Sequence, residues 1–329
     1  MIRNLRVPGR VVALGLPTMW GVLVVVFFAV VTGLVLHVRH TLLRELRQAR
    51  RVAAAAQDAL LRPMPPRIDG LNVAAAQLSA DRGSSVGGDL YEVVATEHGV
   101  RVVMGDVRGH GLAAIGTVAA VLGSFRETVH DEPELAGVLR RLDRALARYL
   151  RERADGLVAE EFVTVLLLEI WRGGEVRALN CGHPWPYRLL GTHVEPLARA
   201  DPLPPLGPFP LPPDLPAVPF GQLRPDEALF LFTDGAEDAR DAHGRFFPLP
   251  DVLAEALHEG AHTPQSMLSA VFTRVLRHTS GCPTDDIALL ALRNERHHRR
   301  PSGAWDSDTC GSAARARATT PHPQPTTHR

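Results

Sequence analysis

Five aspartates stand where an apolar run gives way to a glycine or to a second acid: Asp89 in VGGDLYEV, Asp106 in VMGDVRGHG, Asp234 in LFLFTDGAED, and the pair Asp285-Asp286 in PTDDIALLAL. Carboxylates collected from several strand ends repel one another unless a cation neutralises them. Donor sets made only of oxygen select hard ions, Mg2+ or Mn2+, and the lack of a Cys/His set beside them speaks against zinc. A single Asp before a glycine is ordinary turn chemistry. Four such places, each next to an apolar run, are better accounted for by one binuclear metal site than by four independent turns. His110 and His183 also sit in glycine turns, where a general acid and a residue that merely bonds backbone fit equally well. Arg82 and Arg108 read either as contacts to a substrate phosphate or as ordinary surface charge.

The elements that must position these groups follow from periodicity. Leu71–Leu78, Leu90–Ala95 and Arg101–Val107 read as strands, the last two forming a hairpin around His98-Gly99. Leu112, Ile115, Val118, Ala119, Leu122 and Phe125 share one helical face, and Leu135, Val138, Leu139, Leu142, Leu146 and Tyr149 share another. Strand-like runs follow at Phe162–Trp171, Glu175–Leu179 and Tyr187–Leu190. The proline-rich residues 201–219 read as an irregular excursion. Ala228–Thr233 is a buried strand, Leu249–Gly260 and Pro264–His278 are helices, and Ile287–Leu292 is a closing strand. Strands in blocks with paired helices, rather than strict alternation, indicate an α+β domain with antiparallel sheets.

The chain outside this domain differs in composition. All 36 basic residues are Arg. Residues 64–292 hold 20 Arg against 31 acids, whereas residues 1–63 hold 9 against 2 and residues 293–329 hold 7 against 3. The domain is therefore acidic between two basic ends, which suits divalent cations and argues against nucleic acid as a partner. Val11–Leu36 contains no charged residue and is long enough to span a bilayer, longer than the apolar region of a cleaved signal peptide. Arg39, Arg44, Arg47, Arg50 and Arg51 follow it, against Arg3, Arg6 and Arg10 before it, which places the C-terminal side in the cytoplasm. Leu42, Leu46, Ala49, Ala53, Ala56 and Leu60 form a short heptad seam. Either a homodimeric coiled coil or one amphipathic helix lying on the domain satisfies it. Three cysteines, Cys181, Cys282 and Cys310, make neither a disulfide framework nor a zinc motif. The expected layout is a short N-terminal segment (1–10), a transmembrane helix (11–38), a linker helix (39–63), the acidic domain (64–293) and a disordered basic tail (294–329).

Taken in order, VGGDLYEV, GDVRGHG, FVTVLLLEI, NCGHPWPY, LFLFTDGAEDAR and DDIALLAL resemble the metal-dependent PPM-type serine/threonine phosphatases, similar to protein phosphatase 2C, in their SpoIIE/RsbU branch. The connector AAAAQDALLRPMPPRIDGLNVAAAQLSA resembles the helix and first strand that open these domains. The resemblance implies a four-layer αββα sandwich, two antiparallel sheets flanked by helices, with metals at one end. It implies two Mn2+ or Mg2+ ions bound by Asp89 and Asp106, Asp106 bridging both. The Val107 backbone carbonyl is implied as a further ligand, and Asp234 and Asp285 as the ligands that complete the opposite ion. These four aspartates would act in catalysis through a metal-activated water. Asp286 fills a position where eukaryotic relatives often have Asn. Leu90 and Glu92 stand where Phe and Asp are common, and Cys181 replaces an Ala, but no ligand is lost. The substrate implied is a phosphorylated protein, in this branch usually a STAS-type anti-anti-sigma factor. Two rival readings are a catalytically silent membrane-anchored scaffold of the same fold and a phosphodiesterase. The first need not retain all four acids, and the second is disfavoured by the domain's negative charge.

Overall fold

The structure, a computed structural model, describes residues 15–78, 87–109, 112–153, 161–215 and 217–296. It opens with α1, a continuous helix over Gly15–Leu60. At 1.5 Å per residue its 46 residues extend roughly 70 Å. Pro17 falls in the first turn, where a missing N–H removes no intrahelical bond. Trp20–Glu45 is long and apolar enough to cross a membrane. Its side chains are not covered by protein, Phe27 being 63% and Leu34 61% exposed, so it is no core helix of the domain. The far end of α1 is different. Leu61 is buried beside α2 (Leu112–Thr128), and the Leu60 carbonyl accepts a 2.6 Å bond from Arg126, which also pairs with Glu92 at 2.6 Å. Pro63, Pro65 and Pro66 prevent the helix from continuing.

The domain beyond it is built from two antiparallel sheets. After β1 (Arg67–Ile68) and β2 (Leu71–Leu78) come β3 (Leu90–Thr96) and β4 (Gly99–Val107). These last two form a two-residue hairpin closed by Gly99 at φ 121°. Helices α2 and α3 (Leu135–Glu152) precede β5 (Val163–Ile170), β6 (Glu175–Cys181), β7 (Tyr187–Leu190), β8 (His193–Pro196) and β9 (Val218–Gln222). Strand β10 (Ala228–Phe232), helices α4 (Leu249–His258) and α5 (Pro264–His278), and β11 (Ile287–Asn294) complete it. The six-stranded sheet has the order β1-β2-β11-β10-β7-β8, and the five-stranded sheet the order β3-β4-β5-β6-β9.

Side-chain alternation along the strands produces the layers. In β5, Val163, Val165 and Leu167 face α2 and α3, while Leu166, Leu168 and Ile170 face the other sheet. In β11, Ile287, Leu289 and Ala291 face α4 and α5, while Ala288, Leu290 and Leu292 face inward. A period of two with both sets apolar means that both faces of these strands are buried. Three cores result, one between the sheets and one under each helix pair, which is a four-layer αββα sandwich. On α3, Leu135, Val138, Leu139, Leu142 and Leu146 are the buried stripe expected at helical spacing. Helix α5 begins at a reciprocal capping box between Thr263 and Ser266, with Pro264 at its first turn.

Strands β1, β8 and β9 carry no apolar alternation in sequence. Each lies at a sheet edge, where pairing with one neighbour suffices and Pro219 in β9 is tolerated. Among the described residues, the stretch expected to be irregular has no regular element before β9 but is tethered at two points. Leu206 exchanges two backbone bonds with Val163, at 2.9 and 3.0 Å, and the Leu203 N–H donates to Asn180.

Candidate active site

The aspartates converge at one end of the sandwich, drawn from both sheets. Asp89 immediately precedes β3, Asp106 is the penultimate residue of β4, Asp234 opens a 3-10 turn just after β10, and Asp285-Asp286 lead into β11. Close backbone approach makes this possible. The Val107 N–H donates to the Gly88 carbonyl at 3.1 Å. A side chain at Gly88 would collide with the Val107 carbonyl and stand 2.8 Å from an Asp106 oxygen. One at Gly235 would collide with the Asp286 carbonyl, so the turn carrying Asp234 lies directly against the Asp285-Asp286 segment.

The electrostatics show that these acids share one space. Asp89 is buried, and its carboxyl is held well above the usual carboxylate range by burial and then by the charges of Asp106, Asp286 and Asp234, opposed by a hydrogen bond from Thr233. Asp106 is pushed up to about 7 by burial and by Asp234, Asp285 and Asp286. Asp234 is raised by burial, Asp285 and Asp238. Asp285 Oδ1 accepts the Asp286 N–H at 2.8 Å, and Asp286 is buried. One oxygen of Asp89, Oδ2, is buried with no hydrogen-bond partner.

This donor set fits hard divalent cations: it is oxygen-only, strongly self-repelling, and contains an orphaned buried oxygen that a cation would satisfy. Among the described residues no group of three or more His, Cys, Asp or Glu side chains is placed so as to hold a metal ion. The carboxylates are gathered but still apart. Their frustration has a measurable consequence. For Asp106, raised from 3.8 to about 7, the contribution to stability is full below pH 3.8 and is lost as pH rises through about 7. His183 acts oppositely, because burial lowers it from 6.5 to about 3, so its contribution is lost as pH falls below 6.5. Above pH 6.5 only the carboxylate effect remains. The melting temperature in chelator is therefore expected to fall between pH 6.5 and 8, and millimolar Mn2+ to abolish the fall. A melting temperature unaffected by either pH or Mn2+ in that window would contradict the fit.

Around the acids lie groups that sequence reasoning did not single out. Thr164 on β5 stands opposite Asp106 in register, and its Oγ1 accepts the Asp106 N–H at 3.2 Å. Thr233 Oγ1 accepts the Ala288 N–H at 2.9 Å and also serves Asp89. Asn180 holds the turn at His183. The signal for these was present only as short polar residues inside apolar strands, in FVTVLLL, FTDG and NCGH. His183 is buried, and burial lowers its imidazole from 6.5 to about 3, which weighs against a general-acid role near neutral pH. Arg108 is exposed, its guanidinium 5.2 Å over the Phe162 ring. His110 and Arg82 lie outside the described residues.

Comparison with known proteins identifies the domain. Residues 96–295 match the family model described as Stage II sporulation protein E (SpoIIE). Among solved structures, the chain is similar to the SiaA-PP2C domain of Pseudomonas aeruginosa (18% identity, TM-score 0.56, covering 78% of this chain and 98% of that one). It is similar to the RsbU and RsbW domains of a Mycobacterium tuberculosis protein (23% identity, TM-score 0.55, 68% and 61% covered). It is also similar to the PP2C phosphatase domain of SpoIIE from Bacillus subtilis, solved with a fragment of its regulatory domain (17% identity, TM-score 0.53, 68% and 63% covered). The chain thus spans less than two thirds of the last two structures, which share its fold.

Proposed function

The chain belongs to the SpoIIE family of PP2C-type phosphatase domains, and from that premise we propose that it removes phosphate from phosphoserine or phosphothreonine on a protein with the help of two Mn2+ or Mg2+ ions. The observation that carries the proposal is the mutual repulsion of Asp89, Asp106 and Asp234 at the junction of two sheets, an arrangement that stores electrostatic cost unless cations relieve it.

Asp106, coupled to Asp89 of its own sheet and to Asp234, Asp285 and Asp286 of the other, would be shared between the ions. Asp89 and the Val107 carbonyl would complete one side, and Asp234 and Asp285 the other. When bound, the ions supply Lewis acidity at the phosphoryl oxygens and lower the pKa of a water. The chain's own part is to hold the donors in place. Strand ends fix Asp106 and Asp89, the 3-10 turn presents Asp234, and the Asp286 N–H orients the Asp285 carboxylate. Burial of Asp89 and Asp286 keeps bulk water from screening their charges.

The protein substrate proposed is a phosphorylated STAS-type anti-anti-sigma factor. The reading is supported by the Mycobacterium tuberculosis relative, in which an RsbU domain occurs together with an RsbW domain. Helix α1 is read as a retained single-pass anchor with the catalytic domain on the cytoplasmic side, and its membrane-distal part as a seam for a homodimer. The uninterrupted passage from the apolar span into arginine-rich helix supports an anchor over a cleaved leader. The proposed layout keeps residues 64–293 as the catalytic domain.

The test is phosphate release from a phosphoserine peptide by the full-length protein in detergent, with Mn2+ and with chelator. Release that requires Mn2+ is expected. A folded, Mn2+-binding protein that leaves phosphoserine and phosphothreonine untouched, alone and as a forced dimer, would point instead to a silent scaffold.

A further inference from the structure

We infer that His183 and Thr164 are positioning residues for the metal-binding carboxylates, tying the strand that carries Asp106 to the strand that leads into Asp234 and so setting the gap the cations enter. The inference rests on the assignment of Asp106 and Asp234 as ligands made above.

His183 occupies the tight turn that follows β6. Asn180 clamps it from both sides, its Oδ1 accepting the His183 N–H and its Nδ2 donating to the His183 carbonyl, each at 2.8 Å. The imidazole is thereby held in the interior, 3% exposed. Its Nδ1 lies 3.0 Å from Thr164 Oγ1, the oxygen that accepts the Asp106 N–H from the neighbouring strand. With Nδ1 turned to Thr164, the ring's other contact is with the backbone of Phe232 at the end of β10, two residues before Asp234, and it falls short of full hydrogen-bond geometry.

Two acceptors compete for the Thr164 hydroxyl proton, His183 Nδ1 at 3.0 Å and the Asp106 carbonyl at 3.4 Å, and the nearer one fits the facing groups best. A ring protonated at Nδ1 alone would set a bare Nε2 lone pair against a carbonyl oxygen. The tautomer with its proton on Nε2 lets the Thr164 hydroxyl donate to Nδ1 and aims Nε2–H at Phe232. A relay then runs from the Asp106 N–H through the Thr164 hydroxyl and the His183 ring toward β10, crossing from one sheet to the other. The ring thereby links the strand that carries Asp106 to the strand that leads into Asp234, and the length of that link sets how far apart the two carboxylates stand. Partners of this kind around metal ligands are worth about 10- to 100-fold in affinity.

The experiment is calorimetric titration of the full-length protein in detergent micelles with Mn2+, comparing wild type, Thr164→Val and Thr164→Ser. Valine keeps the branched shape and β preference of threonine and lacks only the hydroxyl. His183→Ala would open a cavity between the sheets, which is why the Thr164 variants carry the test. Mn2+ affinity is expected to fall about tenfold or more in Thr164→Val and to return to within about threefold of wild type in Thr164→Ser. Unchanged affinity in Thr164→Val overturns the inference. So does equal loss in both variants, which would assign the effect to shape rather than to the hydroxyl. Failure of the wild-type protein itself to bind Mn2+ would instead remove the metal assignment, and this inference with it.

Discussion

Replacing Asp106 with Asn is expected to lower phosphatase turnover by at least about 10³-fold while leaving the fold intact and, in chelator, more stable than wild type. Both halves follow from the same electrostatics. Asp106 is the carboxylate on which the charges of Asp234, Asp285 and Asp286 all act, and its own charge acts on Asp89 of its own sheet, so it is coupled to acids of both sheets. Removing its charge takes away the donor proposed to be common to both ions. A 10³-fold loss corresponds to about 4 kcal/mol of transition-state stabilisation, the scale seen when one essential electrostatic group is deleted. Without cations the same charge is a liability, being half-buried among like charges, so Asn relieves repulsion at nearly constant volume. The paired measurement is turnover of a phosphoserine peptide in Mn2+ and the melting temperature in chelator at pH 8. Retained activity would remove Asp106 from the site. Lost activity with a lowered melting temperature would mean that the residue serves the fold rather than the chemistry.

What was legible in the sequence is what repeats over several residues. Strands β5, β10 and β11 were readable because an apolar run of strand length allows no exposed face, and α5 because its stripe is preceded by Thr263-Pro264. The acids were readable because each interrupts such a run at its end. The parts that escaped are single residues whose meaning depends on a partner far along the chain. Thr164 looks like one more β-branched strand residue until Asp106, 58 positions earlier, is placed opposite it. Edge strands β8 and β9 escaped because an edge needs no apolar alternation, and His193–Pro196 has Val194 as its one aliphatic residue. The seam on α1 is a different case, since Leu42 stands exposed and nothing in the fold covers it.

Arg101 is the strongest instance of a residue decided by distant partners, and its replacement carries the largest expected effect on stability. It lies in β4 between Val100 and Val102 and is fully buried. Its register partner on β5 is Glu169, also buried, and the two side chains meet at 2.7 Å through both Nε and Nη2. The remaining guanidinium donors serve the carbonyls of Val129 at 2.9 Å, Glu132 at 2.5 Å and Pro133 at 2.9 Å, in the connection between α2 and α3. Trp171 Nε1 supplies the second Glu169 oxygen at 2.9 Å. One cation thus neutralises a buried acid and ties the helix layer to the sheet beneath it. Arg101→Ala would leave a buried charge unpaired and three carbonyls without a donor, a change that costs about 3–5 kcal/mol. For a domain of this size that is a fall of roughly 10 °C in melting temperature. The double variant Arg101→Met/Glu169→Leu removes both charges and is expected to recover more than half of the loss, because an apolar pair of similar volume needs no counter-ion. Urea unfolding of the three proteins decides the matter. If Arg101→Ala costs less than about 1 kcal/mol, the ion pair is no more than a surface-type contact. If the double variant is no better than the single one, the carbonyl contacts at the α2–α3 connection, and not the ion pair, hold the helix layer in place.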